Sequence, residues 1–284
     1  MAYASPLIIS ISSIGLLLNL IAQVFLFRNG KLHLSFTTLI LCLTFSDCYL
    51  CVSTIFRLVC LSSFCNPATD QLLFCRVILF STLLFGHLFN SAIIWLITFE
   101  RLLAVCQPMR HLTCVRKSRT VKLVSLLCMC SFLVAFIVGI LQYLIGLRCI
   151  LVPIILPLVF AVTLIILISA YGKIFFKVRA QNNMHQKVTR RELSLNSGKL
   201  EKLRSIQQRK VLTHSYTIVA SFMLCNMAYI ICSYIYPTPD SLEEYPILVA
   251  SICLVVLSTI FDPILYFFNN YCCIRKPRKQ NDTV

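Results

Sequence analysis

The sequence predicts an all-α fold, a bundle of seven helices that cross a membrane. Apolar residues make up 58% of the 284 residues and charged residues only 13%, whereas a soluble domain carries roughly 25% charged residues. The charges crowd into short segments between long uncharged stretches. A helix needs about 20 apolar residues to cross the hydrocarbon core, and seven stretches reach that length.

These seven stretches define the expected spans. Each is expected to be a helix, because lipid offers the backbone no hydrogen-bond partner. The first lacks a preceding basic segment and is interpreted as a retained signal anchor, with a cleaved signal peptide as the alternative. A short turn near 146–153 separates the fourth and fifth. The expected spans are 6–27, 34–56, 77–105, 123–147, 150–176, 211–236 and 245–268.

The resulting organisation is one membrane domain followed by a short tail. The membrane domain covers 1–271 and includes a basic third intracellular loop at 177–210. The tail covers 272–284 and is expected to begin as a short amphipathic helix on the membrane surface. Cys272 and Cys273 precede basic residues at the membrane edge, so they are candidate lipidation sites, with unmodified cysteine as the alternative.

The lysines and arginines predict the orientation of the spans. With the N-terminus outside, Arg57, Arg76 and Arg148 are the only ones of the 26 that do not fall on the inner side. Cytoplasmic loops carry such an excess, so we expect a multi-pass plasma-membrane protein with an extracellular N-terminus and a cytoplasmic C-terminus. The net charge of +16 then reflects orientation and attraction to lipid head groups, which argues against a nucleic-acid partner.

The composition also argues against an enzyme. The sequence shows no nucleophile–base arrangement, no histidine-supported metal spacing and, with seven glycines, no nucleotide-binding glycine loop. Most of the 16 cysteines fall inside spans, where cysteine behaves as a small apolar residue. Only Cys60, Cys65, Cys75 and Cys149 are expected near the outer surface, where disulfides form.

Ionisable residues inside the spans predict the functional site. Each costs roughly 2.5–3.5 kcal/mol at the bilayer centre on insertion scales, so those that remain are expected to face the bundle interior. Asp47 and Asp262 fall near the middle of spans two and seven, and Glu100 and Arg101 at the inner end of span three. Hydrogen bonding between helices is the plainer interpretation for a lone asparagine. Two aspartates on different helices favour a shared cation, proton or water cluster.

In chain order, motifs in several spans resemble those of rhodopsin-like (class A) G-protein-coupled receptors. Span three ends in Glu100-Arg101-Leu102, similar to the E/DRY motif, and span seven ends in Asp262-Pro263-Ile-Leu-Tyr266, similar to D/NPxxY. The resemblance covers the whole chain. The other matching elements are Gly15 and Asn19 of GxxxN, Leu43 and Asp47 of LxxxD, Val105 to Arg110 in the second inner loop, and Tyr171 near the inner end of span five.

The resemblance implies a receptor that activates a heterotrimeric G protein when span six moves outward at the inner face. Arg101 would contact Glu100 at rest and turn toward the G protein, with Tyr171 and Tyr266, on activation. Asn19, Asp47, Asn90, Ser258 and Asp262 resemble the family's sodium pocket, which favours the resting state. Sodium is the only cofactor that the resemblance implies.

Cys75 and Cys149 resemble the conserved disulfide of this family. Two free thiols, or a local pair of Cys60 with Cys65, are the alternatives. Span six departs from the family pattern, because Phe222, Cys225 and Asn226 stand in a segment without the usual tryptophan and proline. Its inner end also has no acid to pair with Arg101.

The ligand is expected to be a small, largely apolar molecule or a short peptide. Span seven has no lysine, which excludes an opsin, and the outer half of span three has no aspartate, which argues against an amine receptor. Acidic residues of the outer loops suit the basic end of a peptide. The candidate pocket residues, each equally compatible with interior packing, are His87, Gln142, Tyr143, Tyr229, Ser233 and Tyr236.

Two other functions compete with the receptor interpretation. A transporter or channel would use Asp47 and Asp262 along its path, but no internal repeat is visible in the sequence. A receptor-like protein that no longer couples to a G protein would keep the fold and serve other receptors as a partner.

Overall fold

The computed structural model describes four long stretches and a shorter one near the C-terminus. These stretches are 4–28, 35–63, 71–145, 151–189 and 252–264. Within the predicted sixth span it describes only separate positions, all helical: 217, 220–221, 223–225, 227 and 231, with 250 just before the last stretch. The predicted tail and the greater part of the third loop lie outside the described residues.

The described stretches are helical, with short non-helical links at 107 and at 115–116. The bounds are α1 Ala4–Arg28, α2 Ser35–Ser63, α3 Gln71–Cys106, α4 Pro108–Cys114, α5 Lys117–Ile145 and α6 Leu151–Thr189, followed by α7 Ile252–Ile264. Pro153 lies in the first turn of α6, where the missing backbone N–H has no helical partner to lose.

Five of these helices are long and apolar enough to cross a membrane: α1, α2, α3, α5 and α6. They correspond to the first five predicted spans, and α7 is the described part of the seventh. The all-helical, multi-pass architecture predicted from composition is therefore confirmed for this part of the chain.

The side chains are arranged as in a membrane protein. Leu17, Phe136 and Ile165 are at least half exposed on the outside of the bundle, like many other large apolar residues. Asn19 and Asp47 are at most 1% exposed. A soluble protein rarely exposes so continuous an apolar surface, whereas lipid covers it without cost.

α3 is the centre of the bundle. It packs against α2, α5 and α6, while α1 packs along α2. The main core includes Leu43 of α2, Ile93 and Ile97 of α3, and Phe160 of α6. Met223, a described residue of the predicted sixth span, packs into the same core.

α7 packs against the first two helices. Cys253 and Val256 of α7 form a second apolar cluster with Ile8 of α1 and Leu58 of α2. This places α7 beside the N-terminal half of α1 and the C-terminal half of α2. The buried polar residues of these three helices therefore come together next to this apolar cluster, toward the middle of the bundle.

Several helices differ from the predicted spans. α4 was not predicted, α2 continues to Ser63 and not to 56, and α3 begins at Gln71 and not at 77. α5 begins at Lys117 and not at 123, and α6 continues to Thr189 through the first part of the predicted loop 177–210. Backbone hydrogen bonds continue past the hydrocarbon boundary as easily as before it, and basic side chains extend toward the lipid head groups. Hydropathy marks where the membrane ends, which is not where the helix ends.

Candidate functional site

Asp47 and Asn90 form the centre of a buried polar cluster in the middle of the bundle. Asn90 Nδ2 on α3 donates a hydrogen bond of 2.8 Å to Asp47 Oδ1 on α2. Asn90 is 3% exposed and Asp47 is 1% exposed. No donor among the described residues reaches the second carboxylate oxygen of Asp47, so half of this carboxylate is left for another partner.

Asp262 brings a second acid to the cluster from α7. It is 6% exposed and lies close enough to Asp47 for an electrostatic interaction. Its Oδ1 likewise meets no donor from the described residues. Two carboxylates on different helices therefore share one interior, as the sequence predicted.

Asn19 connects α1 to α7 beside these acids. Its Nδ2 donates to the carbonyl of Gly15 at 2.9 Å and to the carbonyl of Thr259 at 2.7 Å. Gly15 permits this approach, because a Cβ there would lie 2.9 Å from Thr259 Oγ1. A larger residue would push α1 and α7 apart and lengthen the bond from Asn19.

The polar cluster fits a small hard cation or a shared proton. Besides the two aspartates, Asn19 and Asn90 each hold an amide oxygen without a donor among the described residues. Ser258 donates its hydroxyl proton to Val255 at 2.6 Å, which leaves its oxygen able to accept. Such oxygens are the ligands of hard cations. We call Asn19, Asp47, Asn90, Ser258 and Asp262 the polar core.

The polar core differs from a structural metal site of cysteine and histidine. No group of three or more histidine, cysteine, aspartate or glutamate side chains is arranged around a metal position in the described part of the chain. A sodium ion would instead depend on two carboxylates, amide oxygens and a hydroxyl.

A second buried cluster lies where α3 ends. Glu100 Oε2 is 2.9 Å from Arg101 Nε, and Glu100 Oε1 is 3.0 Å from His111 Nε2. The side chains of Glu100 and Arg101 are only 7% and 13% exposed. The Arg101 guanidinium also lies over the ring of Phe36 on α2, 3.6 Å from its centre. We call these four residues the acid–base cluster.

Tyr171 approaches the same cluster from α6. It lies near Thr98 and close enough to Arg101 for an electrostatic interaction. The sequence predicted that Glu100, Arg101 and Tyr171 share one end of the bundle, and the structure brings them together there.

His111 reaches Glu100 because α4 follows α3 almost directly. Gln107 separates the two helices, and Pro108 stands at the start of α4, where its fixed φ favours helix. Neither His111 nor Phe36 was predicted from the sequence. Pro108 is the signal that could have revealed a helix here, but eleven residues of separation do not by themselves indicate a contact.

A cavity opens at the opposite end of the bundle, between α1, α2, α3 and α7. Its empty space is about 660 Å³, the open mouth included. His87, a predicted pocket residue, lines it together with Arg57, and Cys51 and Thr259 line its deeper part. The Cys51 Sγ and Thr259 Oγ1 atoms are 3.4 Å apart. We call this space the Arg57 cavity.

The three sites follow one another along α3. His87 of the cavity, Asn90 of the polar core and Arg101 of the acid–base cluster stand in that order on one helix. A helix rises 1.5 Å per residue, so Arg101 lies about 16 Å beyond Asn90. The buried polar groups thus form a column along most of the bundle.

Of the other predicted site residues, Pro263 is fully described, and the rest are described in part or not at all. Pro263 is buried in α7. Gln142 and Tyr143 lie on α5 and Cys75 on α3, but only their backbones are described. Outside the described residues are Tyr266, Tyr229, Ser233, Tyr236, Cys149, Cys272 and Cys273.

In the described part of the chain, five helices long and apolar enough to cross a membrane surround a buried polar column, which defines a multi-pass helical membrane protein. The sequence pattern of the family described as 7 transmembrane receptor (rhodopsin family) matches residues 18–266 of the chain. The match covers most of the chain, so this protein belongs to the rhodopsin family of seven-transmembrane receptors. No curated protein matches it significantly.

Proposed function

We propose that this protein is a plasma-membrane receptor that transmits an extracellular signal to a heterotrimeric G protein. The observation that carries the proposal is the acid–base cluster, in which Glu100 holds Arg101 inside the bundle, close enough to Tyr171 for an electrostatic interaction. Family membership and the asymmetric distribution of lysine and arginine support it. The signal is a small molecule or a short peptide.

In the resting state Glu100 neutralises Arg101 and keeps it from the cytoplasmic face. On activation, span six moves outward, Arg101 leaves Glu100, and it turns toward the G protein beside Tyr171 and Tyr266. Arg101 is suited to this exchange because its guanidinium stays charged and can bind carboxylates or carbonyls in two directions. The signal is a shift between two packings of the same helices.

The Arg57 cavity is placed to bias that equilibrium. Thr259 lines the deeper part of the cavity with its side chain and accepts the bond from Asn19 with its carbonyl. Displacing α7 from the cavity side therefore changes the geometry of the polar core. The distance of about 16 Å from Asn90 to Arg101 is then covered by one rigid helix, α3.

The polar core would hold a sodium ion through Asp47, Asp262, Asn90 and Ser258. The ion would supply the positive charge that the two carboxylates lack. Because these ligands belong to three helices, α2, α3 and α7, holding it favours the packing in which these helices stand close together.

A panel of G-protein dissociation assays in cells tests the proposal. We expect basal dissociation above that of cells without the protein in at least one G-protein class, and Arg101→Ala to reduce it by about tenfold, equivalent to about 1.4 kcal/mol. Arg110→Ala is the matched control. Arg110 is an exposed arginine nine positions further along the chain, and its removal should change the signal by less than about twofold, in line with the weakness of exposed charge interactions.

Equal signals from wild type and Arg101→Ala in every class, at equal surface expression, would remove the coupling proposal. Two other interpretations then separate. Ion flux into proteoliposomes that Asp47→Asn abolishes indicates a transporter or channel. The absence of both flux and nucleotide exchange leaves a receptor-like protein without its own coupling.

A further inference from the structure

The Arg57 cavity has one charged side chain in its lining, and most of its other lining residues are apolar. Ile8, Leu58, Leu83 and Val255 are among its apolar lining residues, contributed by four different helices. Among the described residues of the lining, Arg57 is the only lysine, arginine, aspartate or glutamate. A space of this kind suits a molecule that is apolar over most of its length and charged at one end.

Arg57 has no counter-ion in the described part of the chain. The ion pairs there all involve Glu100, at the other end of the bundle. The group that does lie near Arg57 is His87, which the positive charge of Arg57 affects electrostatically. A neighbouring histidine cannot neutralise an arginine, and protonating it would add to the positive charge.

The position of Arg57 makes its charge costly without an anion. It is half-buried in the last turns of the membrane-crossing part of α2, which extends to Cys60. Arginine in a membrane helix either extends toward the lipid head groups or faces a cavity with a partner. Since Arg57 lines the cavity, an anion inside it would receive a charge-assisted bond from a half-buried guanidinium.

We propose that the Arg57 cavity binds an amphiphilic anion, a carboxylate on a short unbranched hydrocarbon chain, with the carboxylate on Arg57 and the chain against α1, α3 and α7. This inference deepens the proposed receptor function by naming the chemical class of its ligand. A cationic ligand is disfavoured at this site because no acidic residue is among the described residues of the lining.

The test uses the whole protein in nanodiscs of zwitterionic phosphatidylcholine. Thermal unfolding is followed with a thiol-reactive dye, because Cys51, Cys225 and Cys253 are free and buried in the folded state. The probes are decanoate, the uncharged decanol and the cationic decyltrimethylammonium. We expect decanoate to raise the unfolding temperature by at least about 3 °C near saturation, and the other two to raise it by less than about 1 °C.

Variants then assign the effect to one residue. Arg57→Gln should lose the decanoate shift, and Arg57→Lys should keep at least about half of it, since a lysine still supplies a positive charge. Arg28→Gln is the matched control: Arg28 is exposed at the opposite end of the bundle, so the shift should stay unchanged. If Arg57→Gln does not fold, the three probes on the wild-type protein decide the question alone.

Three results would overturn the inference. Equal shifts from decanol and decanoate would mean that only the apolar walls bind. A larger shift from decyltrimethylammonium than from decanoate would mean that the site prefers a cation. An unchanged decanoate shift in Arg57→Gln would place the anion elsewhere.

Anionic phosphatidylglycerol in the nanodisc identifies the source of the anion. An Arg57-dependent stabilisation by this lipid, with no further shift from decanoate, supports the same anion site occupied from the bilayer. Failure of the site and failure of the receptor function are also distinguishable. A decanoate shift without nucleotide exchange on the G protein supports the anion site and contradicts the receptor function. Nucleotide exchange without a decanoate shift supports the receptor function and contradicts the anion site.

Discussion

At the end of α3, one acid, Glu100, contacts two basic side chains. In the middle of the bundle, the two acids Asp47 and Asp262 share a single amide donor from the described residues. Both clusters are buried, and both combine residues from separate helices. Within one cluster the charges compensate each other. Within the other, oxygen acceptors outnumber donors.

This difference indicates two ways of keeping charge inside a membrane protein. A buried carboxylate costs several kcal/mol unless an opposite charge or hydrogen bonds compensate it. The acid–base cluster contains its own compensation, so its stability depends on side chains alone. The polar core needs a proton, an ion or water from outside the chain, so its stability depends on the solution as well.

The largest expected effect is at the acid–base cluster. Glu100→Gln leaves the Arg101 guanidinium buried without its anion, and removing one partner of a buried pair costs about 3–5 kcal/mol. We expect the unfolding temperature to fall by about 6–12 °C in nanodiscs, and basal G-protein signalling to rise.

The matched control is His111→Gln. The side chain of His111 is 25% exposed, so its contact with Glu100 should contribute less than about 1 kcal/mol. If Glu100→Gln lowered the free energy of unfolding no more than His111→Gln does, Glu100 would not be compensating the charge of Arg101.

The next effect concerns how the helices of the polar core approach each other. Gly15→Ala places a Cβ 2.9 Å from Thr259 Oγ1 and 3.1 Å from Cys51 Sγ. Overpacking of this kind costs about 1–3 kcal/mol, so the unfolding temperature should fall by about 3–8 °C.

Gly172→Ala is the control within the same chain. A Cβ at Gly172 meets no described atom within 4 Å, and alanine favours helix, so stability should stay equal or rise by up to about 1 kcal/mol. Equal losses from both substitutions would show that the contact of α1 with α7 is not as close as described.

The smallest effect concerns sodium. We expect the wild type to unfold about 3–5 °C higher in sodium chloride than in choline chloride of equal concentration, as for an ion at about ten times its dissociation constant. Asp262→Asn should remove this difference. Glu100→Gln should keep it, because the acid–base cluster lies about 16 Å away. A wild type equally stable in both salts would mean that a proton, and not sodium, compensates the two aspartates.

The membrane architecture could be predicted from the sequence because it depends on hydropathy, which is a local property. The meeting of Asp47 and Asp262 was also predictable, since charges inside a membrane must face the interior, whereas Asn90 was placed beside them only by the family resemblance. The contacts of Glu100 were only partly predictable. Arg101 is its neighbour in sequence, but His111 depends on a short helix and on the angle at which α4 leaves α3.

The cavity shows the same limit. Arg57 was counted among the few outer basic residues, and nothing in its neighbours indicates that it lines a space shared by four helices. Which side chains border a cavity depends on how helices from distant parts of the chain lean against each other. Hydropathy and spacing carry no information about that angle.

The contacts of Glu100 with Arg101 and His111 form within one continuous segment of the chain. Arg101 precedes α4 by only a few residues, and His111 belongs to α4, so both basic partners come from the stretch between 101 and 111. Span six has no acid at its inner end to join them. Breaking and forming these contacts are therefore local events, and we expect the outward swing of span six to be resisted by side-chain packing and not by an ionic tether.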